Sequence, residues 1–280
     1  MYSRTITAEM ISNFSRQLIK EERSEATVRK YIHDIKVFEV FVGTQILDKE
    51  VTVLFKKKLM ETYAPSSTNS MIAAVNRFLK GIGRYDCTVK PLRIQRQAFR
   101  PKEKELTKAE YLRLLEVAKK RKDIRLLLLM QTICATGIRV SELKFITVEA
   151  VKTGNAVVSL KGKTRRVLIP TALRKELRQY IRAQNIYRGS IFVTRTGNPM
   201  DRSNILHAMK NLCAEAGVNL EKVFPHNLRH LFACLFYKAS KDISHLADIL
   251  GHSNINTTRI YTCVSGVEQQ RQIGKLGLLL

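Results

Sequence analysis

Between Val28 and Val42 apolar residues return every three or four positions: Val28, Tyr31, Ile32, Ile35, Phe38 and Val42, with Arg29, Lys30, His33 and Lys36 between them. That period predicts an amphipathic helix with one basic face. A first helix is expected to begin near residue 7 and another to cover Val51–Tyr63. A further helix should follow Pro65-Ser66-Ser67, with Ile72, Val75, Phe78 and Leu79 as its stripe and Gly81 and Gly83 as its stop. Residues 1–83 therefore read as a compact helical domain with one basic side. Over 84–104 the period is lost. The string T-V-K-P-L-R-I-Q-R-Q-A-F-R-P-K-E-K carries two prolines and many bases, so an extended linker is expected, either a solvated tether or a strap along a phosphate backbone.

Periodicity resumes at 105. Thr107 and Glu110 form a capping-box pair ahead of a helix over Tyr111–Lys120. Asp123–Thr136 is apolar nearly all round, which predicts a buried central helix. Near 145–170 the period drops to two, predicting strands at Thr147–Val151, Ala156–Leu160 and Arg166–Ile169, with turns at Gly154-Asn155 and Lys161-Gly162-Lys163-Thr164. Helices resume from Thr171, and Gly251 fits a C-cap after Ser244–Leu250. The expected fold is mainly α with a small three-stranded antiparallel β-sheet: a helical domain (1–83), a basic linker (84–104) and a mixed α+β domain (105–280) ending in a tail (264–280).

Charge narrows the function. Forty-nine Lys and Arg against 24 Asp and Glu leave +25 on 280 residues, an excess that makes sense beside a polyanion. Nucleic acid is the leading partner; an anionic membrane surface is second, without a basic amphipathic segment set apart to serve it. At 45% hydrophobic the chain can build cores, so it is not a disordered basic tail. M-Y-S-R-T-I-T-A-E-M lacks the apolar run of a signal peptide, and Leu126–Met130 is too short to span a bilayer. Cysteines 87, 134, 213, 234 and 263 form no C-x-x-C pair and read as reduced thiols of a cytoplasmic protein, Cys263 included.

The candidate chemistry lies in A-T-G-I-R-V-S-E-L at 135–143, H-N-L-R-H at 226–230, L-G-H-S at 250–253 and T-T-R-I-Y-T at 257–262. With the hairpin lysines, these supply Arg139, Lys161, His226, Arg229, His252 and Tyr261. Fixed cations around a hydroxyl suit attack on a phosphodiester, whose anionic oxygens need neutralising as charge redistributes. A tyrosine nucleophile would hold the broken end covalently. His226 and His230 stand four apart, but Asn227 occupies the place of a zinc-protease Glu and no third ligand is evident, so metal is not expected. Taken singly, each residue could equally be a helix cap, a salt-bridge partner or a core aromatic.

Together the strings resemble the tyrosine recombinase (phage integrase) family, over nearly the whole chain. That family joins a helical core-binding domain through a linker to a catalytic domain. Its pattern is an Arg in T-G-x-R-x-S-E-L, a Lys in a β-hairpin, H-x-x-R, G-H and a later Tyr; here Tyr261 follows His252 by nine positions. The resemblance implies a site-specific recombinase that cuts and rejoins double-stranded DNA through a 3′-phosphotyrosine, without metal or nucleotide. It also implies a tetramer on two DNA sites, each protomer closing its two domains as a clamp around the duplex.

The roles implied are Tyr261 as nucleophile, His226 as its helper, Arg139 and Arg229 as clamps on the non-bridging oxygens, and His252 as a further donor to them. Lys161 would protonate the departing 5′-oxygen, with Lys163 open because this chain has L-K-G-K where the family is closer to G-K-G. Glu142 would orient a guanidinium or imidazolium, and His230 would support the helix. The early start of the first helix leaves no room for the arm-binding domain of larger integrases, so a compact Xer-like or mobile-element type is expected. The tail G-V-E-Q-Q-R-Q-I-G-K-L-G-L-L-L is expected to bury its apolar end, on a neighbouring protomer or on its own domain. A type IB topoisomerase and a helical DNA-binding regulator that never cuts are the alternatives. An RNA-binding protein is the weakest, with aromatics at 7% and no Trp for stacking.

Overall fold

Capping side chains fix where the first helices begin. Thr7, Ser24 and Asp48 accept from the backbone N–H of Met10, Thr27 and Val51, starting α1 (Ala8–Lys20), α2 (Glu25–Val42) and α3 (Lys49–Thr62). Pro65 starts α4 (Pro65–Gly81) itself, because its missing N–H costs nothing in a first turn. The computed structural model describes residues 5–94, 104–160, 163–261 and 274–275. It divides into two compact units, Met1–Arg96 and Gln97–Leu280.

In the first unit the predicted stripes meet in one core that includes Phe14, Ile35, Phe38, Phe55, Val75 and Phe78. Phe14 and Phe78 pack edge to face with centroids 5.4 Å apart. Residues beyond α4, expected at the start of the linker, run fastened along it. Asn76 donates to Val89 O at 2.7 Å and accepts from Val89 N at 2.9 Å, and Asn69 does the same with Leu92 at 2.9 and 2.7 Å. An Asn amide offers one donor edge and one acceptor edge, so it pairs with extended backbone as a strand would.

In the second unit the Thr107–Glu110 capping box opens α5 (Lys108–Lys120), and Asp123 caps the central helix α6 (Ile124–Thr136). The sheet has two strands where three were expected. Thr147 accepts from Ala150 N at 3.1 Å and starts a short helix, α7 (Val148–Thr153), which Gly154 closes in the left-handed region at φ 81°. Over so few residues the two periods overlap: Val148 and Ala150 would share one face of a strand, and with Val151 they form the buried side of the helix, so the caps decide it. Strands β1 (Asn155–Leu160) and β2 (Lys163–Leu168) pair antiparallel from Asn155↔Leu168 to Leu160↔Lys163. The expected turn residue Lys161 and its neighbour Gly162 lie outside the described residues.

Then follow α8 (Thr171–Ala183), α9 (Arg202–Lys210), α10 (Cys213–Ala216), α11 (Pro225–Ser240) and α12 (Ile243–Leu250). Ala156, Val158 and Val167 of the hairpin share a core with Leu129 and Ile133 of α6, Leu177 of α8 and Leu228 of α11. Among the described residues no helix is long and apolar enough to cross a membrane.

Candidate active site

Helix α6 stops at Gly137, whose φ of 64° is the left-handed conformation that glycine takes without a Cβ penalty. A Cβ there would also lie 2.5 Å from the Phe232 ring and 3.0 Å from Leu250. The chain turns at once into a 3₁₀ segment, Val140–Phe145, with Arg139 at its start. Glu142, 3% exposed, accepts from both the backbone N and the guanidinium of Arg139 at 2.9 Å. From β2, Arg165 donates to the same carboxylate at 2.6 Å and to Ile249 O at 2.7 Å. Burial opposes ionisation of Glu142, but the Arg139 N–H, the Arg165 charge and the Arg139 guanidinium outweigh it and hold the carboxyl below its ordinary range.

The site's other half begins at Pro225, the first residue of α11. Asn227 is 1% exposed and ties this end down, donating to Lys104 O at 2.9 Å and Lys222 O at 2.8 Å. His226 beside it is exposed, while Arg229, one turn on, is only 1% exposed. Arg229 donates to Gly137 O at 2.5 Å and Leu250 O at 2.8 Å, and its Nη2 lies 3.0 Å from His252 Nε2. These carbonyls are at the ends of α6 and α12, so two negative helix termini take the place of a carboxylate partner. Burial first, and then the charge of Arg139, lower the Arg229 pKa to about 10.

Gly251, at φ 64°, ends α12 and turns the chain towards His252; a Cβ there would collide with the Arg165 side chain. Buried Thr258 faces the other ring nitrogen, with Oγ1 2.9 Å from His252 Nδ1. Burial, followed by the charges of Arg229, Arg139, Arg165 and His226, lowers the His252 pKa to about 4. Tyr261 is 5% exposed among Ala233, Leu246 and Leu250. Its ring lies edge-on to His230 at 5.0 Å and nearly parallel to His252 at 6.2 Å. Burial pushes the phenol pKa up, against the charge and hydrogen bond of Arg229.

Arg139, Ser141, Arg202, His226 and Arg229 line one pocket of about 220 Å³. The structure thus gathers Arg139, His226, Arg229, His252 and Tyr261, with Glu142 behind Arg139 and His230 against Tyr261. Lys161 lies outside the described residues, and Lys163 stands first in β2. Three participants escaped the reading of the sequence. Arg165 had a signal: it shares a strand face with buried Val167 and pairs with buried Val158, so a cation sits at an inward position. Thr258 and Arg202 had none, since Thr258 matters through the way His252 is turned and Arg202 through a pocket shared with Arg139 and Arg229.

The family model described as the phage integrase family matches residues 104–266. The chain belongs to that family. It is similar over its full length to the tyrosine recombinase XerA of Pyrococcus furiosus, 27% identical and covering 98% of that protein. Against the XerA of Thermococcus kodakarensis it is 30% identical, with 94% of this chain and 93% of that one covered. A lambda integrase tetramer bound to a Holliday junction shares the fold with TM-score 0.74, 17% identity and coverage of 93% and 78%. The chain is a tyrosine recombinase of the Xer type, an enzyme of site-specific DNA recombination. Neither the topoisomerase nor the non-cutting regulator finds support.

Proposed function

We propose that Tyr261 attacks the scissile phosphorus of a DNA strand. A bond forms between the phenolic oxygen and phosphorus, the bond to the 5′-oxygen breaks, and a 3′-phosphotyrosyl link and a free 5′-hydroxyl result. A phenol of pKa about 10 needs help to lose its proton, and His226, open to the pocket, gives it. Arg139, Arg229 and His252 meet the non-bridging oxygens, and Glu142 aims Arg139. Lys161, assigned by resemblance alone, protonates the 5′-oxygen, with Lys163 the alternative. Attack by the 5′-hydroxyl of another strand then reseals the backbone without a nucleotide.

The single observation that carries this reading is the phenol of Tyr261 placed beside Arg229 and against His252. On the larger scale, residues 1–83 act as the core-binding domain, 84–104 as the linker and 105–280 as the catalytic domain. The two domains clamp double-stranded DNA, and four protomers join two sites; the structural neighbour lambda integrase, a tetramer bound to a Holliday junction, supports the tetramer.

The test is a suicide duplex nicked near the protein's own site, incubated in EDTA. The expected product is a protein–DNA adduct that survives SDS, with a free 5′-hydroxyl on the released strand. Cleavage that leaves 5′-phosphate ends and no adduct would mean hydrolysis and overturn the proposal.

A further inference from the structure

A guanidinium has donors and no acceptor. His252 Nε2, 3.0 Å from Arg229 Nη2, therefore presents a lone pair to it. The proton of the neutral ring is then on Nδ1 and is donated to Thr258 Oγ1 at 2.9 Å. This is the wrong tautomer for the role assigned above: giving a hydrogen bond to a phosphate oxygen requires a proton on Nε2. Charging the ring is opposed first by its burial and then by the charges of Arg229, Arg139 and Arg165.

A hydroxyl rotates, and so can serve either tautomer. We propose that Thr258 is a positioning residue that holds the His252 ring and lets it change tautomer without charging. Its oxygen accepts from Nδ1–H in the free protein, and its O–H donates to Nδ1 once a phosphate fills the pocket. The shift takes one proton off Nδ1 and places one on Nε2 through solvent, so the ring stays neutral. Arg229 Nη2 turns from the imidazole to the anion. No hydrogen bond is lost at the Thr258 end, which is fully buried and holds the ring plane in both states. The inference deepens the recombinase reading and rests on it.

Thr258→Val keeps the shape of the side chain and removes the hydroxyl, while Thr258→Ser restores it. The protein has six histidines, and ¹⁵N-histidine spectra assigned with His252→Gln report which nitrogen carries the proton. In the free protein Nδ1 of His252 should be the protonated nitrogen. In the complex of Tyr261→Phe with the cognate duplex, Nε2 should be. Thr258→Val should lower single-turnover cleavage by roughly tenfold to a hundredfold, the loss known for removing the partner that orients a metal-bound histidine. Its DNA affinity should be unchanged, and Thr258→Ser should return most of the rate.

A doubly protonated His252 in the complex, or Nδ1–H persisting there, would overturn the proposal, as would full cleavage by Thr258→Val. The spectra of the unsubstituted site decide the matter even if Thr258→Val fails to fold. If the parent protein forms no covalent adduct, the recombinase chemistry itself fails. If it does and Thr258 proves indifferent, only this inference falls.

Discussion

Gly137→Ala should damage both stability and cleavage, for separable reasons. The residue sits at φ 64°, where a Cβ meets the following carbonyl at a cost of about 1–2 kcal/mol. The new methyl would also lie 2.5 and 2.6 Å from two carbons of the Phe232 ring and 3.0 Å from Leu250. Overpacking of that kind costs about 1–3 kcal/mol after relaxation, so the expected loss is about 2–5 kcal/mol. Relief requires the α6 terminus to move away from α11, and Gly137 O is one of the acceptors that hold Arg229. Urea denaturation of the full chain measures the first effect and single-turnover cleavage below the transition measures the second. A stability change under about 0.5 kcal/mol, the usual size of a neutral surface change, with a normal cleavage rate would be the opposite outcome. It would mean that neither the close approach nor the carbonyl matters.

Arg229→Lys should lower the cleavage rate by about a hundredfold to a thousandfold, the usual loss of one transition-state donor, with a much smaller change in DNA affinity. A lysine places one charge but cannot reach Gly137 O, Leu250 O and His252 as a fork does; equal losses in rate and affinity would make Arg229 a simple phosphate anchor. The His252 pKa, lowered to about 4 from 6.5, sets a pH dependence. The unfolded chain takes up the proton first, so stability should be level above pH 6.5 and fall from there through about 4. His252→Gln should flatten that part of the slope in urea midpoints, and identical slopes would show that the imidazole is not held neutral. Lys161→Ala should be rescued by a substrate with sulfur at the bridging 5′-position, which leaves without a proton; rescue of Lys163→Ala alone would move the acid to Lys163.

The helical first unit was legible because it follows from short-range rules, and the candidate set because its strings together resemble one family's pattern. Residues at three- and four-residue spacing make the helices, and the string around Arg139 carries its own turn glycine and its own carboxylate. The lost strand at 147–151 shows where such rules stop. One threonine cap outweighs a two-residue alternation too short to be unique. Arg165 showed only its inward strand position and Thr258 showed nothing, for another reason. Arg165 matters through Glu142 and Ile249, 23 and 84 positions away, and Thr258 through a ring whose other face is held by Arg229. Glycine gave a half-legible signal: Gly251 reads as a helix stop, while its second duty, leaving room for Arg165, is visible only in three dimensions.

Tyr261 should carry the broken strand, and peptide mapping of the covalent adduct shows whether it does. Protein trapped on a nicked cognate duplex, digested with protease and nuclease and read by mass spectrometry, should show a nucleotide 3′-phosphate on Tyr261 alone. Tyr261→Phe should bind the duplex and yield no adduct. A modified residue elsewhere, such as Cys263, or an adduct that persists in Tyr261→Phe, would move the nucleophile off Tyr261.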